Sequence, residues 1–349
     1  MSIFRRIFIS NRGEIALRII RTCRELGIET VLGVSEPDRE SLPTRFANRV
    51  VLIGPGKPAD SYLNAELAVH TAKVTGCDAI HPGVGFLSEN PHFAELCQLH
   101  DIVFIGPNAN CLRLLGDKIQ ARDLAKSLGL PVLGGGRVEN LESAMALAKQ
   151  LTYPVMLKAS AGGGGRGIRI IASEADLKNE FGIASAEAEK SFADGRLHLE
   201  TLVREARHIE VQIIADSLGQ LGIYGERDCS IQFNFQKMIE ETPCSLINDL
   251  ERQAIYSDAK TLLLSQDYIG LVTVEFLYEP TTGQHFFLEV NPRIQVEHPI
   301  TEMVTQRDLV ADQIRVSCGN PLSQLNLDIS FKGHAIECRI NAQNPENAL

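Results

Sequence analysis

The sequence predicts an α/β fold that gives way to α+β. Strand-like and helix-like stretches alternate at short spacing up to about residue 112, whereas beyond residue 199 strands dominate and two of them are joined by a turn-rich hairpin. Close alternation builds a parallel sheet, and consecutive strands with tight turns build an antiparallel one. Taking the elements in order, Ile7, Phe8 and Ile9 are apolar and β-prone, and Asn11-Arg12-Gly13 turns the chain. Residues 14–26 then have helical periodicity, with Ile15, Leu17, Ile19, Ile20 and Leu26 on the apolar side and Gly27 as the stop. Strands are expected at 30–34 and 50–53, a helix at 65–74, and a short strand at 79–80 ending in His81-Pro82-Gly83. A helix at 93–99 and a strand at 102–105, closed by Gly106-Pro107, complete the alternation.

A helical stretch at 110–128 is interrupted by Gly116-Asp117-Lys118, and after Gly134-Gly135-Gly136 come a helix at 141–151 and a strand at 155–158. Further strands are expected at 209–215, 221–224, 272–278 and 286–290. The loop 279–283 makes the last two a hairpin. Residues 335–340 alternate like a strand that requires a partner.

Composition bounds the function. At 349 residues the chain is long enough for two or three folding units, and 44% hydrophobic with 22% charged residues is the balance of a globular protein. A formal net charge of −10 argues against a nucleic-acid role, since phosphate backbones want a basic surface. The eight cysteines include no C-x-x-C pair and no zinc-finger spacing, so they read as thiols of a reducing compartment. Residues 1–11 are too short and too charged for a signal peptide or a membrane span; no membrane is expected as partner, and the cytoplasm is the expected location.

The residues that carry chemistry cluster late in the chain. Glu289, Asn291, Arg293, Gln295 and Glu297 occupy every second position. If extended, all five project to one side, leaving Val290, Pro292, Ile294 and Val296 for a core. A solvated strand face is the bland alternative, but two carboxylates, two amides and a guanidinium together exceed what an ordinary surface offers. Glu275 is a charge inside the apolar run 272–277, expected to pair with the strand bearing Glu289. A buried carboxylate is costly unless neutralised, and Glu275, Glu289 and Asn291 are hard oxygen donors that suit magnesium.

The run 158–167 holds Gly162, Gly163, Gly164 and Gly165 between two strand-like stretches. No helix follows, which excludes a dinucleotide fingerprint, and no Gly-Lys-Ser/Thr follows, which excludes a P-loop. A glycine hairpin between strands suits a flap whose backbone N–H groups approach phosphates, or a plain surface hairpin. Lys158 and Lys118 are candidate phosphate cations, and the polar stretches 226–232 and 236–237 fit a site or a surface loop equally.

Together these segments resemble the biotin carboxylases of the ATP-grasp superfamily. The matching runs are 10–16, 81–90, 116–118, 158–167, 226–230, 289–299 and 337–341, collinear from Ile7 to Pro345. The resemblance implies a Rossmann-like N-terminal domain (1–112), linker helices with the glycine-rich ATP-grasp lid (113–203), and an ATP-grasp C-terminal domain (204–349) that stops short of completion. It implies a ligase that converts ATP and bicarbonate to carboxyphosphate and ADP, then carboxylates biotin on a separate carrier domain.

Lys118, Lys158, Gly163, Gly164 and Gly165 would hold phosphates, with Glu200, Val203, His208 and Gln232 on the nucleotide. Glu275 and Glu289 would bind magnesium or manganese, with Asn291 on a second ion. Lys237, Arg293, Gln295 and the Val296 backbone would seat bicarbonate, Glu297 would deprotonate it, and Arg339 would stabilise the biotin enolate. A biotin carboxyl carrier domain and a carboxyltransferase are the implied partners, with a homodimer where the C-terminal part is present. Arg18 and Glu25 match positions at that dimer contact.

The chain departs from the family pattern in three places. Phe233-Asn234-Phe235 replaces a basic run ending in His, Thr201 replaces a Lys, and Val84 replaces a Tyr. These departures keep open a paralogue that binds ATP without turning it over. A ligase joining a carboxylate to an amine is disfavoured by the run 293–298, which is characteristic of bicarbonate- and biotin-handling members.

Overall fold

The computed structural model describes residues 3–160, 167–192, 194–203, 205–325 and 329–340. Three sheets organise it. The first is parallel, in the order β3-β2-β1-β4-β5, from β1 (Arg6–Ile9), β2 (Glu29–Val34), β3 (Arg49–Leu52), β4 (Ala79–His81) and β5 (Val103–Phe104). Its helices are α1 (Gly13–Glu25), α2 (Ala65–Val74) and α3 (Pro91–Leu99). The helix α1 turns Ile15, Ala16, Ile19, Ile20 and Cys23 onto the sheet, the 3.6-residue spacing seen in the sequence. The C-terminal ends of β1 and β4 lie side by side, and their loops are tied together. Asn11 Nδ2 donates to the carbonyls of Pro82 and Val84 at 2.7 and 2.8 Å. Gly83 has φ +67°, and a Cβ there would meet Asn11 Nδ2 at 2.9 Å, so glycine is required at this crossing.

The helices α4 (Ala109–Gly116) and α5 (Lys118–Ser127) follow. Asp117 caps α5 by accepting from the Ile119 and Gln120 amides, which fixes Lys118 as its first residue. The second sheet is antiparallel, β6-β9-β7-β8, from β6 (Gly135–Val138), β7 (Val155–Ala159), β8 (Ile168–Ile171) and β9 (Leu197–Thr201). With α6 (Leu141–Leu151) and α7 (Glu174–Phe192) it encloses its own core around Val155, Leu157, Leu177 and Leu199.

The third sheet is antiparallel and six-stranded, β14-β13-β10-β11-β12-β15. Its strands are β10 (Arg207–Ala215), β11 (Leu221–Phe233), β12 (Gln236–Thr242), β13 (Gly270–Glu279), β14 (Gln284–Asn291) and β15 (Ala335–Cys338). On one face lies α8 (Asp249–Leu264) with α4 and α5, closing a core that includes Ile255, Ala259, Val272 and Phe276. The helices α9 (His298–Thr305) and α10 (Leu309–Ser317) lie beyond β14 in the chain. Leu309, Val310 and Ile314 of α10 share a core with Ile7 and Ile9 of the first sheet, Ile19 of α1, and Ile214, Tyr224 and Leu271 of the third sheet.

The outline expected from sequence holds, with definite differences. The strand expected at 221–224 runs on to Phe233, because Glu226, Arg227 and Asp228 are buried with partners rather than exposed in a loop. The triple-glycine segment enters a strand at Gly135, and β12 pairs with both β11 and β15. Helices α7 to α10 were not anticipated; three of them fall in the region read as strand-dominated. Among the described residues no helix is long and apolar enough to cross a membrane.

Candidate active site

The site is built on one face of the third sheet, where four strands place charged residues in register. Glu210 on β10 lies opposite Glu275 on β13, and Glu275 lies opposite Glu289 on β14. On the other side, Glu210 faces Arg227 on β11. So many charges on one sheet face require mutual neutralisation, because isolated buried ions cost several kcal/mol each. Lys237 on β12 supplies much of it. Its ammonium contacts Glu210, lies 3.1 Å from Glu275 Oε1 and lies 2.9 Å from Glu297 Oε1. Three carboxylates raise the Lys237 pKa well above its ordinary value despite its burial.

Burial opposes ionisation of Glu275, but Lys237 and His208 beside it bring its pKa down to about 2. His208 Nε2 is 2.6 Å from Glu275 Oε2; burial opposes its protonation, yet the carboxylate raises its pKa above the usual imidazole value. Gln232 Nε2 reaches His208 Nδ1 at 3.0 Å. Glu289 is only half-buried, and Lys118 at 2.5 Å holds its pKa below the ordinary carboxylate range. Lys158 on β7 pairs with Glu200 on β9, the two central strands of the second sheet, and Val203 follows β9 two residues later.

Glu297 sits immediately before α9, and cations hold both of its oxygens: Lys237 holds Oε1, and Arg339 Nη2 is 2.9 Å from Oε2. Arg339 follows β15, where its amide donates to Met238 O, and its Nε also binds Glu240 at 2.5 Å. Gln295 donates to Glu275 Oε1 at 2.9 Å, and Asn291 Nδ2 donates to the same oxygen at 2.6 Å. Arg293 binds Glu89 Oε1 at 2.6 Å and Asn291 Oδ1 at 3.0 Å, joining this sheet to the loop after β4.

The expectation of one continuous extended face from Glu289 to Glu297 is corrected here. The strand ends at Asn291, and the Arg293 amide folds back onto Asn291 O at 2.9 Å. Pro292 has no N–H with which to continue the ladder. Gln295 and Glu297 still reach the carboxylate cluster, but Arg293 turns toward Glu89, and Val296 lies in the turn that opens α9. Gly163, Gly164 and Gly165 lie outside the described residues. Arg18, expected at a dimer contact, bonds Glu302 and Asp308 of its own chain; its guanidinium is half-buried there.

Two buried carboxylates and one buried guanidinium were not singled out from sequence. Glu210 carried a usable signal: with Gln212 it alternates inside the apolar run 209–215, the same pattern that drew attention to Glu275. Arg227 was seen only as part of a polar stretch, and Glu240 carried no signal, being adjacent to Glu241 in an ordinary acidic pair.

The donor set suits magnesium. Glu275 and Glu289 are hard, ionised carboxylates on adjacent strands, with the Asn291 amide beside them. Among the described residues, His208, Glu210 and Glu275 bring their ligand atoms close together, while Glu289 is paired with Lys118.

Comparisons with known proteins agree with this fold. Residues 3–112 match the family model for the biotin carboxylase N-terminal domain, and residues 117–325 match that for the carbamoyl-phosphate synthase L chain ATP-binding domain. The chain is 46% identical to biotin carboxylase 1 of Bacillus subtilis over 98% of its own length and 76% of that protein's. It is 44% identical to the 2-oxoglutarate carboxylase small subunit of Hydrogenobacter thermophilus, covering 99% of this chain and 73% of that one. Among solved structures, the biotin carboxylase domain dimer of the H. thermophilus 2-oxoglutarate carboxylase, in complex with MgADP, ADP and bicarbonate, superposes with a TM-score of 0.94 at 43% identity. The match covers 99% of this chain and 76% of that one. The Campylobacter jejuni biotin carboxylase in complex with β-γ-ATP gives a TM-score of 0.94 at 41% identity, covering 99% and 78%.

Proposed function

The chain belongs to the biotin carboxylases, and from that premise we propose that it carries out the ATP- and bicarbonate-dependent carboxylation of biotin on a carrier domain. The observation that carries this reading is Glu297, a carboxylate held at both oxygens by Lys237 and Arg339 in the turn between α9 and β14, the strand that bears Glu289 and Asn291.

In the first step the γ-phosphoryl group of ATP passes to a bicarbonate oxygen, giving carboxyphosphate and ADP. Lys118 and Lys158 gather the phosphates, and Glu200, Val203, His208 and Gln232 contact the nucleotide. Magnesium, which Glu275 and Glu289 would hold with Asn291 on a second ion, neutralises charge on the phosphoryl oxygens when bound. Lys237, Arg293, Gln295 and the Val296 backbone seat bicarbonate, and Glu297 takes its proton as the oxygen attacks. In the second step the C–O bond of carboxyphosphate to the phosphoryl group breaks, the phosphate released takes the N1′ proton of biotin, and the carboxyl group passes to N1′, while Arg339 balances negative charge developing on the ureido oxygen. The carrier domain and a carboxyltransferase are the proposed partners, the assembly is a homodimer, and the compartment is the cytoplasm. That compartment accords with eight free cysteines, six of them buried.

ADP release with ATP and magnesium, scanned over bicarbonate with and without free biotin, tests the reading. A rate that needs bicarbonate and rises with biotin is expected. Glu297→Gln lowers it by about 10²–10⁴-fold, the usual worth of a positioned base, while ATP binding persists. ATP binding without bicarbonate-dependent turnover would favour the paralogue reading, in which exposed Phe233 and Phe235 at the β11–β12 turn displace a productive nucleotide contact.

A further inference from the structure

Arg227 is completely excluded from solvent, and its guanidinium makes five side-chain contacts. Nη1 donates to Gln212 Oε1 at 2.9 Å and Thr301 Oγ1 at 3.0 Å. Nη2 reaches Glu210 Oε2 at 3.3 Å, Thr273 Oγ1 at 3.2 Å and Gln295 Oε1 at 2.5 Å. It touches neither end of the proposed phosphoryl transfer. Instead it joins β10, β13, the turn before α9 and α9 itself.

The contact with Gln295 fixes more than position. An amide side chain can present either its oxygen or its NH2 to a given neighbour, and the two faces are nearly identical in shape. Here the oxygen is committed to a guanidinium, which has donors only, and the nitrogen to Glu275 Oε1, which has acceptors only. Rotating the amide by 180° would set NH2 against guanidinium and C=O against carboxylate, two repulsive contacts in a buried site. Gln295 therefore has one orientation, and among the described residues its second N–H has no acceptor and is available to donate. An anion needs that N–H; a carbonyl oxygen in its place would repel it.

We propose that Arg227 is a positioning residue that locks the Gln295 amide as a hydrogen-bond donor toward bicarbonate, and so sets affinity for bicarbonate rather than for ATP. This rests on the reading above that Gln295 helps to seat bicarbonate. A merely structural role would weaken ATP and bicarbonate alike through the shared sheet. The locking role acts through Gln295 alone.

A double-mutant cycle separates the two, using Arg227→Lys and Gln295→Met, with KM for bicarbonate and for ATP measured on folded full-length protein. Lysine keeps the buried charge that Glu210 requires but cannot make a guanidinium's parallel contacts. Arg227→Lys is expected to raise the bicarbonate KM about tenfold, the worth of one charge-assisted hydrogen bond, and the ATP KM less than about twofold. In the Gln295→Met background the same change adds less than about twofold. Equal effects on both KM values, or a full tenfold effect in the Gln295→Met background, would overturn the proposal. If Gln295→Met alone leaves the bicarbonate KM unchanged, the seating of bicarbonate by Gln295 fails, and the locking role falls with it. Should Arg227→Lys not fold, Thr301→Val removes one anchor of the guanidinium at almost constant shape. The same cycle is then expected to show a rise of about twofold to threefold in the bicarbonate KM that vanishes without Gln295.

Discussion

His298 follows the proposed base directly and is almost entirely buried. Its Nδ1 lies 2.7 Å from Gln295 O, so the ring donates there and pins the turn that carries Gln295 and Glu297. Its Nε2 has no hydrogen-bond partner among the described residues. Burial, with the Arg18 and Arg227 cations nearby, pushes its pKa down to about 4, and the ring is neutral in the fold. A histidine whose folded pKa lies below its unfolded value binds fewer protons in the native state between the two. Its contribution to stability is therefore complete above about pH 6.5 and is lost as pH falls toward 4, at about 1.4 kcal/mol per pH unit. Other imidazoles titrate too, and His208, raised by Glu275, works in the opposite sense. A difference measurement removes them. His298→Asn preserves a donor to Gln295 O but does not titrate. The stability gap between parent and variant, from urea unfolding, is expected to shift in the variant's favour by roughly 2 kcal/mol between pH 7.5 and 5. A gap that does not change with pH would mean the ring is solvated or charged in the native state.

At the scale of elements, the β11–β12 hairpin turns on Asn234 and Phe235, with φ of +50° and +61°. Asparagine tolerates the left-handed region, but a phenylalanine there carries about 1–2 kcal/mol of strain. Its ring is substantially exposed, so little packing repays the cost. Phe235→Gly is expected to stabilise the protein by about 1 kcal/mol and raise Tm by about 2 °C. A fall in Tm would show that the ring is held by contacts worth more than the strain.

The same hairpin shows what local pattern reveals and what it hides. The alternation of apolar and polar residues located β10, β13 and β14 and drew attention to Glu275, because a charge among Val272, Val274 and Phe276 is conspicuous. It failed on β11, where Glu226, Arg227 and Asp228 break the pattern while being buried by long-range partners. It also overextended β14 through Pro292, since alternation of side chains says nothing about where backbone pairing ends. The convergence of Lys237, Glu240 and Arg339 depends on β15 pairing with β12 across almost a hundred residues of chain, and no local signal encodes that pairing.

For the whole molecule, the cores divide unequally. The first and third sheets share one hydrophobic cluster through Ile7, Ile9, Tyr224, Leu271 and Ile314, whereas the second sheet, with α6 and α7, encloses a cluster of its own. We propose that the chain divides into units near residues 112 and 203, the middle one made of linker helices α4 and α5, which stay in the core of the third sheet, and of the second sheet with α6 and α7, which opens on its own as the lid over the phosphates. Shared burial couples the outer two; elements that share no core can open at lower free energy than the whole. Leu157 on β7 is fully buried in the separate cluster, and Leu157→Ala costs about 2–5 kcal/mol at such a site. Hydrogen exchange on that variant is expected to show faster exchange in β7, β9 and α6, with β1 and β13 unchanged. Adding ATP with magnesium should restore much of the lost protection, because Lys158 at the end of β7 ties phosphate binding to lid closure. If β1 and β13 lose protection in step with β7, the three sheets unfold as one cooperative body, and lid opening must then come from rigid rotation rather than from a separately stable unit.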